Sequence, residues 1–202
     1  MMVIGLTGGI CCGKSTAGAF FAQAGAGIVD ADAISHSLTQ PGGAALPLIR
    51  DAFGEGVFTP SGELDRRELA ALVFSDPAAL QTLNRITHPL IRREMENQLA
   101  GYRRAGKSLV ILDVPLLYEA NMEDLADKVL CVTVPREVQV ERLRERDGLN
   151  RSQAESRIAS QMPVEEKAAR ADYVLSTHRP LEETRRELSA ILEKLKEEEA
   201  HE

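Results

Sequence analysis

Gly8-Gly9-Ile10-Cys11-Cys12-Gly13-Lys14-Ser15 has the residue types and spacing to hold phosphate. The segment fits G-x-x-x-x-G-K-[ST], between a short apolar run, Val3 to Thr7, and a helix-forming stretch, Ser15 to Ala24. Glycines let such a loop fold around phosphate oxygens, and the amides of the loop and of the following helix N-terminus point at negative charge. In this pattern Lys14 bridges the β- and γ-phosphates of a nucleoside triphosphate such as ATP, and the Ser15 hydroxyl ligates Mg²⁺. Phosphoryl transfer also needs a group that orients and deprotonates an acceptor. Asp30 and Asp32 follow the second apolar run and lie on one face if the chain stays extended through Ala31. Either could instead serve only as the N-cap of the helix that follows; capping suits Asp30 better and catalysis Asp32.

Arg142 and Arg146, four residues apart, share a helix face on which guanidinium groups can close over phosphates and stabilise transferring charge. The same pattern, with Glu141 and Glu145 beside it, also describes a solvated face laced with ion pairs. Asp113, near the end of another apolar run, is a further carboxylate able to meet an outer metal shell or an acceptor. His88-Pro89 interrupts a helical stretch; on its own, a histidine before proline marks a structural kink.

These groups are positioned by five β-rich runs: Val3 to Thr7, Gly27 to Asp30, Ser108 to Val114, Lys128 to Val134 and Asp172 to Ser176. Several are continuous and apolar, as in buried parallel strands, and helical segments alternate with them. The pattern predicts a three-layer α/β fold of the P-loop NTPase type, with a parallel five-stranded sheet and ligands at the carboxyl ends of the strands. One domain over 1–202 is expected, with its core in 1–32, 107–135 and 172–202. Residues of about 33–106 read as an inserted, wholly helical subdomain able to build an acceptor pocket, with Asp65 and Glu68 as a capping box and Asp76-Pro77 as a helix start. Residues of about 136–171 read as a lid, with a capping box at Ser152 and Glu155. After Pro180 an amphipathic helix carries Leu181, Leu188, Ile191, Leu192 and Leu195, and its acidic end, Glu197 to Glu199, reads as a frayed, solvated terminus.

The formal net charge of −7 argues against a nucleic-acid partner. No apolar run reaches bilayer length and no export signal is evident, so no membrane association and a cytoplasmic location are expected. Three cysteines, two of them adjacent, make neither a disulfide framework nor a zinc site. No obligatory protein partner is evident.

Taken together the motifs resemble the dephospho-CoA kinases, over nearly the whole chain. The resemblance rests on Gly5-Leu6-Thr7-Gly8-Gly9-Ile10 leading into Gly13-Lys14-Ser15, on Val29-Asp30-Ala31-Asp32, and on Leu64-Asp65-Arg66 followed by Leu72-Val73-Phe74. It continues through Ile86-Thr87-His88-Pro89-Leu90-Ile91, Asp113-Val114-Pro115-Leu116-Leu117-Tyr118-Glu119, Arg142-Leu143, Arg146-Asp147 and Arg157-Ile158-Ala159-Ser160-Gln161-Met162. It implies transfer of the ATP γ-phosphoryl group to the ribose 3′-hydroxyl of dephospho-CoA, with Mg²⁺, as the last step of coenzyme A synthesis. It further implies that Cys11, Cys12, Gly13, Lys14, Ser15 and Thr16 bind the nucleotide, that Asp32 is the base, that Arg142 clamps phosphate, and that His88 and Leu116 line or support the acceptor pocket. A P-loop kinase for another small acceptor, and a nucleotide switch acting through a protein partner, are the competing readings. Asp32 and the arginine-rich lid disfavour the switch.

Two departures stand out. Where the family usually has Gly-Ser this chain has Cys11-Cys12, so a side chain occupies a position suited to glycine, and a thiol beside Lys14 at a helix N-terminus is expected to have a lowered pKa and to be sensitive to oxidation. After the fifth run Ser176-Thr177-His178 stands in place of an Asp-Asn pair.

Overall fold

The strands expected from the apolar runs are all present in a computed structural model, which describes residues 1–201. They are β1 (Met2–Gly8), β2 (Gly27–Asp30), β3 (Leu109–Asp113), β4 (Lys128–Thr133) and β5 (Tyr173–Ser176), in the order β2-β3-β1-β4-β5. Every residue of the central strand β1 is buried, which is why its sequence does not alternate. The β1 ladders with β3 and β4, and that of β4 with β5, are parallel.

Register decides what gathers at the carboxyl edge. Leu6 lies opposite Asp113, Gly8 opposite Val132, and Thr133 opposite Ser176. The loop after β1, the carboxylate ending β3 and the turn after β5 therefore emerge along one edge of the sheet. Behind the loop runs α1 (Lys14–Gln23), whose buried Ala17 and Phe21 join a core of Ile4, Leu6, Ile111, Leu130, Val132 and Leu175. α9 (Leu181–His201) closes the same core with Leu188, Ile191, Leu192 and Leu195, while Leu181 stays exposed.

The acidic end of α9 is helical and engaged rather than frayed. The Tyr173 hydroxyl donates to Glu198 at 2.6 Å, and the N-terminal ammonium lies 3.6 Å from Glu199. One hydrogen bond and one ion pair hold the end that composition alone would have left loose.

The chain divides into two compact units, residues 1–29 with 99–202, and residues 30–98. The second unit contains α2 (Ala31–Leu38), α3 (Leu46–Phe53), α4 (Arg66–Ser75) and most of α5 (Pro77–Arg104). Its own core joins Ala45, Ile49, Val57, Phe58, Leu69 and Val73 to Leu83, Ile86 and Leu90. Two sequence expectations are corrected here. The segment is not wholly helical, because a 3-10 turn at Glu55–Val57 and an antiparallel bridge between Phe58 and Leu64 separate α3 from α4. Pro89 does not break α5, which runs through it for 28 residues. An interior proline costs a helix about 3 kcal/mol, and burial of Ile91, Met95 and Leu99 on the far side, with Leu83, Ile86 and Leu90 packed around it, outweighs that cost. Asp65 caps α4 by accepting from the Arg67 and Glu68 amides, and Asp76 accepts from the Ala78 amide at the start of α5.

The first unit also carries α6 (Arg136–Asp147), α7 (Arg151–Ala159) and α8 (Val164–Arg170). The capping box of α7 is formed by Asn150 and Gln153, not by Ser152 and Glu155, because the helix starts earlier and spends Glu155 on Arg151. α8 is anchored by Lys167, whose side chain is 0% exposed and whose ammonium donates to the Pro115 carbonyl at 2.8 Å and pairs with Glu119 at 2.7 Å. The same Glu119 oxygen accepts from the Met162 amide, while its second oxygen is buried without a partner. Removing one member of a buried pair strands the other, at about 3 kcal/mol in the milder cases. Lys167→Met is therefore expected to lower stability by about 3 kcal/mol in urea unfolding, and adding Glu119→Gln should recover most of the loss.

Candidate active site

The phosphate-type loop joins β1 to α1, and its backbone is held from outside by its carbonyl groups. Gln139 of α6 donates Nε2 to the Ile10 carbonyl at 2.9 Å. Arg142, one turn further along α6, donates Nη1 to the Cys11 carbonyl at 3.3 Å, and the Thr177 hydroxyl donates to the Cys12 carbonyl at 2.7 Å. On either side the Gly9 carbonyl accepts from the Cys12 amide, and the Gly13 carbonyl accepts from the Thr16 amide. With these acceptors occupied, what the loop has left to offer a ligand is its N–H groups, the property an anion site requires.

Glycine is required at two points. Gly13 has φ of 86°, and a Cβ there would lie 3.1 Å from the Thr177 hydroxyl. A Cβ on Gly9 would lie 2.2 Å from Gln139 Nε2, so only glycine allows that donor to reach the loop. Cys11 also takes a positive φ, 58°, a left-handed conformation that costs a side-chain-bearing residue about 1 kcal/mol or more. Its side chain, with Ile10, packs against the cluster of Val140, Leu143, Ala154 and Ile158 that joins α6 to α7. That packing supplies a compensation glycine would not.

Lys14 is the first residue of α1, and its ammonium pairs with the Asp113 carboxylate at the end of β3. Ser15 and Thr16 follow in the first turn, both exposed. Arg142 is half-buried, and besides the Cys11 carbonyl it donates to Thr177 Oγ1 and to the Thr177 carbonyl, each at 3.2 Å. It thus faces the loop rather than a solvated ion-pair surface. Arg146 does not join it, since its guanidinium is taken by Asp147, which also accepts from Arg157. Leu116, in the loop after β3, is 41% exposed between the buried Val114 and Leu117.

In the second unit the Asp30 side chain caps α2 by accepting from the Ala33 amide at 3.0 Å. Asp32 sits in the first turn of α2 with its side chain exposed. His88 lies mid-way along α5, where burial pushes its pKa below the ordinary histidine value and favours the neutral ring near pH 7.

A family profile described as dephospho-CoA kinase matches residues 2–183. The chain belongs to the dephospho-CoA kinase family. A relative of that name in Anaeromyxobacter dehalogenans is 50% identical over 175 residues, 87% of this chain and 83% of the other. Among solved structures, a protein from Thermus thermophilus is 38% identical with a TM-score of 0.82, covering 96% of this chain and 97% of that one. The dephospho-CoA kinase from Campylobacter jejuni is 26% identical with a TM-score of 0.72, covering 96% of each.

Reading the sequence missed Gln139 and Thr177 as partners of the loop. Gln139 left a usable trace, three residues before Arg142 and so on the same helix face. Thr177 left none, because it meets the loop only through the fold. Among the described residues no group of three or more His, Cys, Asp or Glu side chains is arranged to hold a metal, and no helix is long and apolar enough to cross a membrane.

The expected acidic thiol is overturned. Burial pushes the Cys11 thiol above its ordinary value, outweighing the opposing charges of Arg146, Arg142 and Arg157. Burial pushes Cys12 from 9.0 up to about 11, with amide hydrogen bonds from Val134 and Gly9 offsetting only part of it. As pH rises from 9.0 towards about 11 the unfolded Cys12 thiol loses a proton that the folded one keeps, so stability is full below that window and declines through it. At pH 8 both thiols stay protonated in the native protein. Iodoacetamide is expected to modify them at least roughly tenfold more slowly than in urea-unfolded protein; equal or faster native labelling of Cys11 would contradict this.

Proposed function

We propose that this chain transfers the γ-phosphoryl group of ATP to the ribose 3′-hydroxyl of dephospho-CoA, giving CoA and ADP. The observation that carries the reading is the family match over residues 2–183, laid on a loop that keeps Gly13-Lys14-Ser15 intact with Arg142 directed at it.

In this reading the segment from Cys11 to Thr16 receives the triphosphate, through those of its amides that the Gly9 and Gly13 carbonyls do not take, and the Lys14 ammonium exchanges its contact with Asp113 for phosphate oxygens as charge develops on them. Arg142 spends three of its five N–H bonds on the protein, leaving two for the transferring group. Asp32 positions and deprotonates the acceptor hydroxyl; it is the carboxylate of its pair that is not spent on capping α2. The hydroxyl then attacks the γ-phosphorus in line, its proton passes to Asp32, and ADP leaves.

His88 and Leu116 contribute to holding the acceptor, one as a neutral hydrogen-bonding ring and the other as exposed apolar surface. The donor set suits Mg²⁺, which binds proteins through one or two hard oxygens and otherwise through phosphate and water. The Ser15 hydroxyl would hold the ion, with Asp113 as a second oxygen donor nearby in the fold, and it would neutralise phosphate charge. The α6–α8 segment serves as a lid that limits loss of the phosphoryl group to water. The free thiols of Cys11, Cys12 and Cys131 suit a reducing, cytoplasmic setting.

The test is ADP release from MgATP with dephospho-CoA, adenosine, AMP or no acceptor. Dephospho-CoA alone is expected to stimulate, and Asp32→Asn to lower kcat by about 100-fold or more with a smaller change in KM for ATP. Stimulation by another acceptor alone would overturn the substrate, and full activity of Asp32→Asn would overturn the base.

A further inference from the structure

Thr177 has no part in the reaction as described, yet it bonds both the phosphate loop and Arg142. Its amide donates to the Thr133 carbonyl at 3.0 Å, continuing the β4–β5 ladder one step past Ser176. That bond fixes the residue to the sheet. Its hydroxyl lies 2.7 Å from the Cys12 carbonyl and 3.2 Å from Arg142 Nη1. A carbonyl can only accept and a guanidinium can only donate, so the roles are determined: the hydroxyl proton goes to Cys12 and a lone pair faces Arg142. The Thr177 carbonyl takes a second bond, from Arg142 Nη2 at 3.2 Å. Two bonds from adjacent nitrogens to one residue fix the plane of the guanidinium, which a single contact would leave free to turn. The same side chain packs against Gly13, where an added Cβ would lie 3.1–3.4 Å from three of its atoms, the hydroxyl nearest.

We propose that Thr177 is a positioning residue that ties the lid arginine and the phosphate loop to the end of β5, so that Arg142 meets the transferring phosphoryl group in a fixed orientation. The inference rests on the role given to Arg142 above. One hydroxyl serves both partners, so loop and arginine are set together. The side chain required is a small one with a hydroxyl; serine meets that requirement and valine, of the same shape, does not.

The experiment is a double-mutant cycle in the dephospho-CoA-dependent ADP-release assay, with Thr177→Val, Thr177→Ser, Arg142→Ala and the double variant Thr177→Val/Arg142→Ala. All are assayed at a temperature where thermal melts show them folded, and Thr177→Ala replaces the valine variant should that one unfold. Thr177→Val is expected to lower kcat roughly tenfold, with a smaller change in KM for ATP, and Thr177→Ser to stay within about threefold of wild type. In the Arg142→Ala background the same substitution should lower kcat by less than about twofold, because the arginine through which it acts on the transferring group is gone, and the lost bond to the Cys12 carbonyl should show only in KM for ATP. A kcat for Thr177→Val within about twofold of wild type, or an equal loss in both backgrounds, overturns the proposal while leaving the arginine's role intact if Arg142→Ala is itself impaired. An unimpaired Arg142→Ala overturns both.

Discussion

A peptide loop can bind an anion through its N–H groups only if the carbonyls of the same peptides are satisfied elsewhere. The rest of this structure depends on that constraint. Three successive carbonyls, of Ile10, Cys11 and Cys12, are satisfied by side chains from distant parts of the chain: Gln139, Arg142 and Thr177. Part-buried carbonyls left unpaired would cost up to about 1 to 3 kcal/mol each, enough for the loop to turn over and lose its anion-binding face. The glycines of the loop serve the same end by letting those donors approach and by taking a backbone conformation that side chains resist.

The fold supplies the donors through register. Parallel pairing of β1 with β3 and β4, and of β4 with β5, brings Gly8, Asp113 and the turn after Ser176 to one edge. Gln139 and Arg142 arrive on one face of α6, whose buried Val140 and Leu143 pack with α7 against Ile10 and Cys11. The loop's own side chains thus complete the small core of the segment that supplies its donors. Lys167 and Glu119 fasten α8 to the loop that follows β3, so the segment is anchored at its far end as well.

Most of the fold was legible because buried parallel strands write themselves as short continuous apolar runs, and all five lie within a residue or two of the expected bounds. Local rules failed where tertiary packing outweighed them. Pro89 was read as a break, but packing on both sides carries α5 through it. The acidic end of α9 was read as frayed, but Tyr173 and the N-terminal ammonium hold Glu198 and Glu199. The neighbours in sequence predict an acidic thiol in the Cys11-Cys12 pair, but burial dominates and raises the pKa of both. In the site, Lys14, Ser15 and Arg142 were readable because their spacing is local. Thr177 was not, since its meaning comes from a contact 165 positions away.

Carbonyl capture holds the loop in its anion-binding form, and Gln139→Leu removes one captor. The substitution keeps the bulk of a side chain that is 2% exposed and removes the donor to the Ile10 carbonyl, together with the weaker contact of the same Nε2 to Cys12 Sγ at 3.3 Å. Titration calorimetry with MgATP is expected to show binding weakened by about tenfold, with the thermal transition lowered by no more than roughly 10 °C. Unaltered affinity in a folded Gln139→Leu protein would mean that the loop holds its shape without the captured carbonyl, and the account would be wrong.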